Sequence, residues 1–108
     1  MKTVKVFDLK QASDFYACVF DTDIFSSTRA DECAMRDGAN WFRLRAADHT
    51  APQHDPFVAE VEDADVCIAR AATRGGWIID PVAIGPDRRR SGAVQDPFGV
   101  SWRVCSRA

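Results

Sequence analysis

No stretch of this 108-residue chain approaches the ~18 consecutive apolar residues that a membrane-spanning helix requires. The opening residues Met1-Lys2-Thr3-Val4-Lys5 also lack the apolar core of a secretion signal. The expectation is therefore a cytoplasmic protein without a membrane partner. Excess charge of either sign is missing too: 14 Lys and Arg stand against 16 Asp and Glu, a formal net charge of -2. Such a balance exerts no general attraction on a phosphate backbone, so nucleic acid is not an expected partner. Histidine is scarce, at two residues, and the four cysteines, Cys18, Cys33, Cys67 and Cys105, are too far apart for a zinc-finger or redox motif. They read as free thiols, of which Cys18 and Cys67 fall within apolar helical patterns. What is present is ordinary: 46% hydrophobic and 28% charged residues, the composition of a globular chain of one domain, 1–108.

Along the chain, Thr3 to Phe7 is a β-rich run with Val4 and Val6 on one face, and Asp8 is placed to cap a helix. Leu9, Ala12, Phe15, Tyr16 and Val19 recur at helical spacing and predict its buried face. Ile24 to Thr28 reads as a short strand, and Glu32 to Arg36 with Trp41 to Ala46 as a hairpin around Asp37-Gly38. A polar segment with two prolines, up to Pro56, reads as a linker between modules of about 1–47 and 56–108. Phe57 to Val61 is the next strand, Asp63 the next cap, and Ala64 to Arg74 a second helix ended by Gly75-Gly76. Its apolar side is predicted to hold Val66, Cys67, Ile68, Ala71 and Ala72. Pro81 splits two apolar runs, Trp77 to Asp80 and Val82 to Ile84, which suits a bent or edge strand. Arg88-Arg89-Arg90 sits in a Gly/Pro/Asp turn and reads as a solvated loop. Asp96-Pro97 then opens a turn in which Gly99 supplies a conformation costly to other residues, and a last strand begins at Ser101.

Strand, helix and about three strands thus occur twice, which is the order of an internal repeat. Val6 aligns with Val61 and Asp8 with Asp63, and the pattern Gly-x-x-Trp recurs at Gly38 to Trp41 and Gly99 to Trp102. Matching the strand-to-helix junctions gives a spacing of 55 (61 minus 6) and matching the tryptophans gives 61 (102 minus 41), so an insertion of six residues is expected in the second half.

The Val6-x-Asp8-Leu9 junction, the Phe15-Tyr16-x-x-Val19-Phe20 helix and the ending Asp96-Pro97-Phe98-Gly99-x-x-Trp102 together resemble the glyoxalase/bleomycin-resistance group of the vicinal oxygen chelate superfamily. The resemblance spans nearly the whole chain. It implies an α+β fold of two βαβββ modules, with curved mixed sheets cupping a pocket, in a homodimer. Metal-using members carry His or Glu near the starts of the first strands of each module and Glu in the last strand. On this chain those positions fall at or before Met1, near Pro56 and on Arg103. A guanidinium has no lone pair to donate, so no metal and no other cofactor is expected. His49 and His54, with Asp48 and Asp55 beside them, offer a displaced ligand set, set against the simpler reading of a solvated linker.

Strand parity together with the superfamily comparison directs Thr3, Lys5, Phe42, Leu44, Val58, Glu60, Ser101 and Arg103 into the cup, with Trp102 and the alternate residues toward the helices. Apolar walls carrying a few charges suit an amphiphilic small molecule, its anionic end on Arg103 or Lys5 and its flat part on Phe42. The competing reading pairs Glu60 with Arg103 or Lys5 and so neutralises the cavity. No catalytic residue is assigned. The expected function is metal-free binding of a small molecule, as in sequestration of a drug or metabolite. The alternatives are a metal-dependent lyase, isomerase or dioxygenase using displaced ligands such as His54 and Glu60, and a non-binding interaction subunit with a plugged cavity.

Overall fold

Two aspartates, Asp8 and Asp63, start the two helices from extended backbone, each accepting hydrogen bonds from the amides that the first turn leaves unpaired. The computed structural model describes residues 2–38, 40–47 and 56–107. In the first module, β1 (Lys2–Val6) leads through Asp8 into α1 (Leu9–Val19), followed by β2 (Asp23–Ser26), β3 (Glu32–Asp37) and β4 (Asn40–Ala46). The second repeats the order with β5 (Phe57–Val61), α2 (Ala64–Thr73), β6 (Trp77–Ile84), β7 (Arg90–Gln95) and β8 (Ser101–Ser106). The turn joining β3 to β4 has Gly38 at a φ of 58°, as the Asp-Gly signal requires. Neither helix among the described residues is long and apolar enough to cross a membrane.

Each module forms its own four-stranded mixed sheet, in the orders β1-β4-β3-β2 and β5-β8-β7-β6. The first strand of each runs parallel to the last, and the other pairs are antiparallel. A parallel neighbour needs a crossover, which the helix and the two strands between supply. The sheets are not closed: β2 and β6 are edges, and the register of β6 shifts near Pro81.

One face of each sheet is buried against the helices. Val4, Val6, Phe42, Leu44 and Met35 come from the first sheet, Ala59, Val61, Val94, Trp102 and Val104 from the second, and Ala12, Phe15, Tyr16, Val19, Cys67, Ile68 and Ala71 from the helices. The two modules share this core. Trp102 is fully buried, with Tyr16 of α1 and Phe20 at its C-cap at ring distances of 5.3 and 4.9 Å and Phe42 of β4 at 5.4 Å. At about 25 cal/mol for each Å² of apolar surface removed from water, such aromatic burial is what holds one module to the other.

Two buried carboxylates complete the junction. Asp96, 4% exposed, accepts hydrogen bonds from Tyr16 Oη, Trp102 Nε1 and the amides of Phe98 and Val100, the last three at 3.0, 2.9 and 2.9 Å. Asp37, at the end of β3, accepts from the Glu60 amide of β5 at 2.7 Å and from Arg107 at 3.4 Å. Gly92 is a point of close approach: a Cβ there would lie 2.6 Å from Cδ1 of Ile68 and 2.9 Å from the Asp80 carbonyl, so α2 rests directly on the β7 backbone.

Some expectations are corrected. Val66 is 42% exposed and Ala72 is exposed, because the buried side of α2 runs through Ala64, Cys67, Ile68 and Ala71 instead. The strand register also sets Phe57 opposite Trp102 and Lys2 opposite Phe42. The equivalent of Trp102 is therefore Phe42, 60 residues away (102 minus 42), and the second module carries five extra residues rather than six (60 minus 55).

Candidate functional site

The helix-free faces of the two sheets carry the chemistry. Residues opposite each other in neighbouring strands share a face, and on the first sheet the outer rows are Lys5–Arg45–Glu32, Thr3–Arg43–Ala34–Phe25 and Trp41–Arg36–Asp23. On the second sheet they are Glu60–Cys105–Ser91, Val58–Arg103–Ala93–Asp80 and Ser101–Gln95–Trp77.

Six of the eight residues expected on this side are there: Thr3, Lys5, Val58, Glu60, Ser101 and Arg103. Phe42 and Leu44 are not. They are 3% and 0% exposed on the helix-facing side, where Phe42 meets Phe57 edge-on at 6.1 Å. The two Gly-x-x-Trp patterns differ by one position in the strands they open, and a slip of one residue moves every side chain of a strand to the other face. Trp41, Arg43 and Arg45 take the outer positions instead, with Trp41 41% exposed. No spacing in the sequence reveals this; it is the pairing of β4 with β1 that sets Phe42 beside Lys2, as β8 with β5 sets Trp102 beside Phe57.

The ion pairs also differ from expectation. Arg103 binds Asp80 of β6 at 2.9 Å, while Glu60 approaches Arg89 at 3.9 Å, so neither pairing expected for Glu60 forms. On the first sheet Arg45 pairs with Glu32 at 3.1 Å and Arg36 with Asp23 at 2.6 Å. Arg36 lies 5.4 and 5.7 Å from the ring centres of Phe25 and Trp41, which are themselves 5.4 Å apart. This is a cation–π cluster at a solvated edge. Two of the three arginines of the turn are engaged as well: Arg90 pairs with Asp65 of α2 at 2.6 Å, and Arg89 donates to the Ser106 carbonyl at 2.6 Å.

A metal finds no ligand set among the described residues. The last-strand position is held by Arg103, already paired, and among the described residues no group of three or more His, Cys, Asp and Glu is placed to hold an ion. His49 and His54 lie outside the described residues. All four cysteines are free thiols, and burial pushes the Cys67 thiol up to about 12, so it stays protonated and unreactive.

No protein-family model matches the sequence, and no curated protein matches it. Solved structures do match. A glyoxalase/bleomycin resistance protein from Albidiferax ferrireducens T118 is similar at a TM-score of 0.77, with 17% identity over 98% of this chain and 95% of its own. The fosfomycin resistance protein FosX from Listeria monocytogenes gives 0.76, with 15% identity over 99% and 90%. A lactoylglutathione lyase from Agrobacterium tumefaciens gives 0.70, with 20% identity over 97% and 90%. At these identities the likeness is one of fold: over nearly its whole length the chain shares the fold of these three proteins.

Proposed function

We propose that the chain is a cytoplasmic small-molecule-binding protein that works as a homodimer and holds its ligand against the outer sheet faces without a metal. The observation that carries this reading is the make-up of those faces. Each combines apolar surface, Phe25 and Trp41 on one and Val58 and Trp77 on the other, with polar and charged groups that point away from the core. Such surfaces suit an amphiphilic ligand that a second copy covers. Enclosure asks for no nucleophile or general base. The superfamily's usual cation anchor is replaced here by a guanidinium, Arg103, already matched to Asp80. The folds it shares include a resistance protein and a lyase, so sequestration and catalysis by displaced ligands are separated by experiment.

Native mass spectrometry of protein purified without tag or chelator reads subunit count, retained metal and co-purified small molecule together. The expected result is a dimer with no stoichiometric ion and an adduct of small-molecule mass, or an empty dimer that takes one up. A stoichiometric divalent ion lost together with ligand uptake on chelation would overturn the reading in favour of a metal enzyme.

A further inference from the structure

Arg43 and Arg103 are twins. They are 60 residues apart (103 minus 43), the spacing that the register sets between β4 and β8. Each sits on the outer face of the last strand of its module, next to an alanine of the preceding strand, Ala34 or Ala93. The next residue in the row decides their fates. In the second module it is Asp80, which reaches across buried Ala93 to neutralise Arg103 at 2.9 Å. In the first module it is Phe25, which cannot accept a hydrogen bond. Among the described residues the Arg43 side chain has no ion pair or hydrogen bond.

Its surroundings are those of an anion site. Thr3 and Ala34 on either side are small, and a hollow of about 240 Å³ opens beside it, lined by Ser26, Ser27, Glu32, Cys33, Ala34 and Arg43. The carboxylate in that lining, Glu32, is committed to Arg45 at 3.1 Å. The face holds four cations, Lys5, Arg36, Arg43 and Arg45, against two carboxylates, Asp23 and Glu32, so it is positive on a chain that is negative overall. Phe25 and Trp41, 41% exposed each, flank it with aromatic surface.

We propose that Arg43 is the anchor for an organic anion, a carboxylate or phosphate on a flat apolar body, bound on the outer face of the first module. The guanidinium fork takes two oxygens of the anion at once, and the body lies toward Phe25 and Trp41. The proposal rests on the small-molecule-binding reading above and names the class of ligand that reading left open.

Calorimetric titration with 2-naphthoate, and with 2-naphthalenemethanol as its neutral counterpart, tests it. The native protein should bind the acid at least about tenfold more tightly than the alcohol, the usual worth of a charge-assisted hydrogen bond. Arg43→Gln should erase that preference, bringing the acid down to the affinity of the alcohol. Phe25→Asp, which installs the neutralising carboxylate of the second module, should erase it with Arg43 still in place. If Arg43→Gln keeps the preference, or the native protein binds both compounds equally, Arg43 is not the anchor, although small-molecule binding stands. If the native protein binds neither compound, the binding reading itself falls, and the anchor with it.

Discussion

Asp96 shows how one residue ties the modules together. Its Oδ2 accepts from Tyr16 and Trp102, and its Oδ1 from the amides of Phe98 and Val100. Asp96→Asn turns one of these oxygens into a donor, and whichever way the amide faces, a buried N–H loses its acceptor. The expected loss is about 2 kcal/mol in urea unfolding, the desolvation cost of an unpaired buried group. Burial outweighs these hydrogen bonds and raises the Asp96 carboxyl above its ordinary 3.8, and burial raises Asp37 likewise, against the lowering pull of the Glu60 amide and Arg107. A carboxyl whose native pKa is raised binds more protons folded than unfolded. Its contribution to stability is therefore fully present below 3.8 and is lost as pH rises through the raised native value. The stability difference between the native protein and Asp37→Asn, followed by urea midpoint, should shrink as pH rises through that window. A difference growing with pH would contradict the assignment.

At the level of elements, the strands and helices were largely legible because local chemistry decides them. Asp8 and Asp63 cap as expected, and the Asp37-Gly38 turn forms where its dipeptide sits. Replacing Asp63 by Ala should cost about 1 kcal/mol, seen as a lower thermal midpoint, since its Oδ1 serves two amides at 3.0 and 3.2 Å. What sequence did not yield was parity in β4. The run Trp41-Phe42-Arg43-Leu44-Arg45 alternates cleanly, but two aromatics stand side by side, and either could head the buried row. Only the pairing with β1, which places Val4 beside Leu44, settles it. The candidate site was legible to the same degree: Lys5, Val58, Glu60, Ser101 and Arg103 follow from their own strands, whereas Arg43 and Trp41 depend on a contact distant in sequence. The partner of Arg103 was hidden for the same reason, since Asp80 lies beyond a register shift. The seat of α2 on β7 is equally tertiary. Gly92→Ala should destabilise by about 1–3 kcal/mol, because its methyl would meet the Asp80 carbonyl as well as the yielding tip of Ile68.

At the scale of the whole molecule, the repeated order of elements gives two sheets, each with one face buried in the shared core and an outer face of its own. Inward, the shared core keeps equivalent positions apolar: Phe42 and Trp102 are equivalent and both are buried. Outward, one substitution in the row, Phe25 against Asp80, separates an open guanidinium from a self-neutralised one. A repeated frame whose exposed rows differ between its halves is a ready way to make one half bind what the other does not. The most direct test is a backbone amide chemical-shift titration with 2-naphthoate. The account predicts changes concentrated at Thr3, Phe25, Ala34 and Trp41 to Arg45, with the row Val58, Asp80, Ala93 and Arg103 unmoved. Changes centred on Arg103 with Arg43 silent would contradict it.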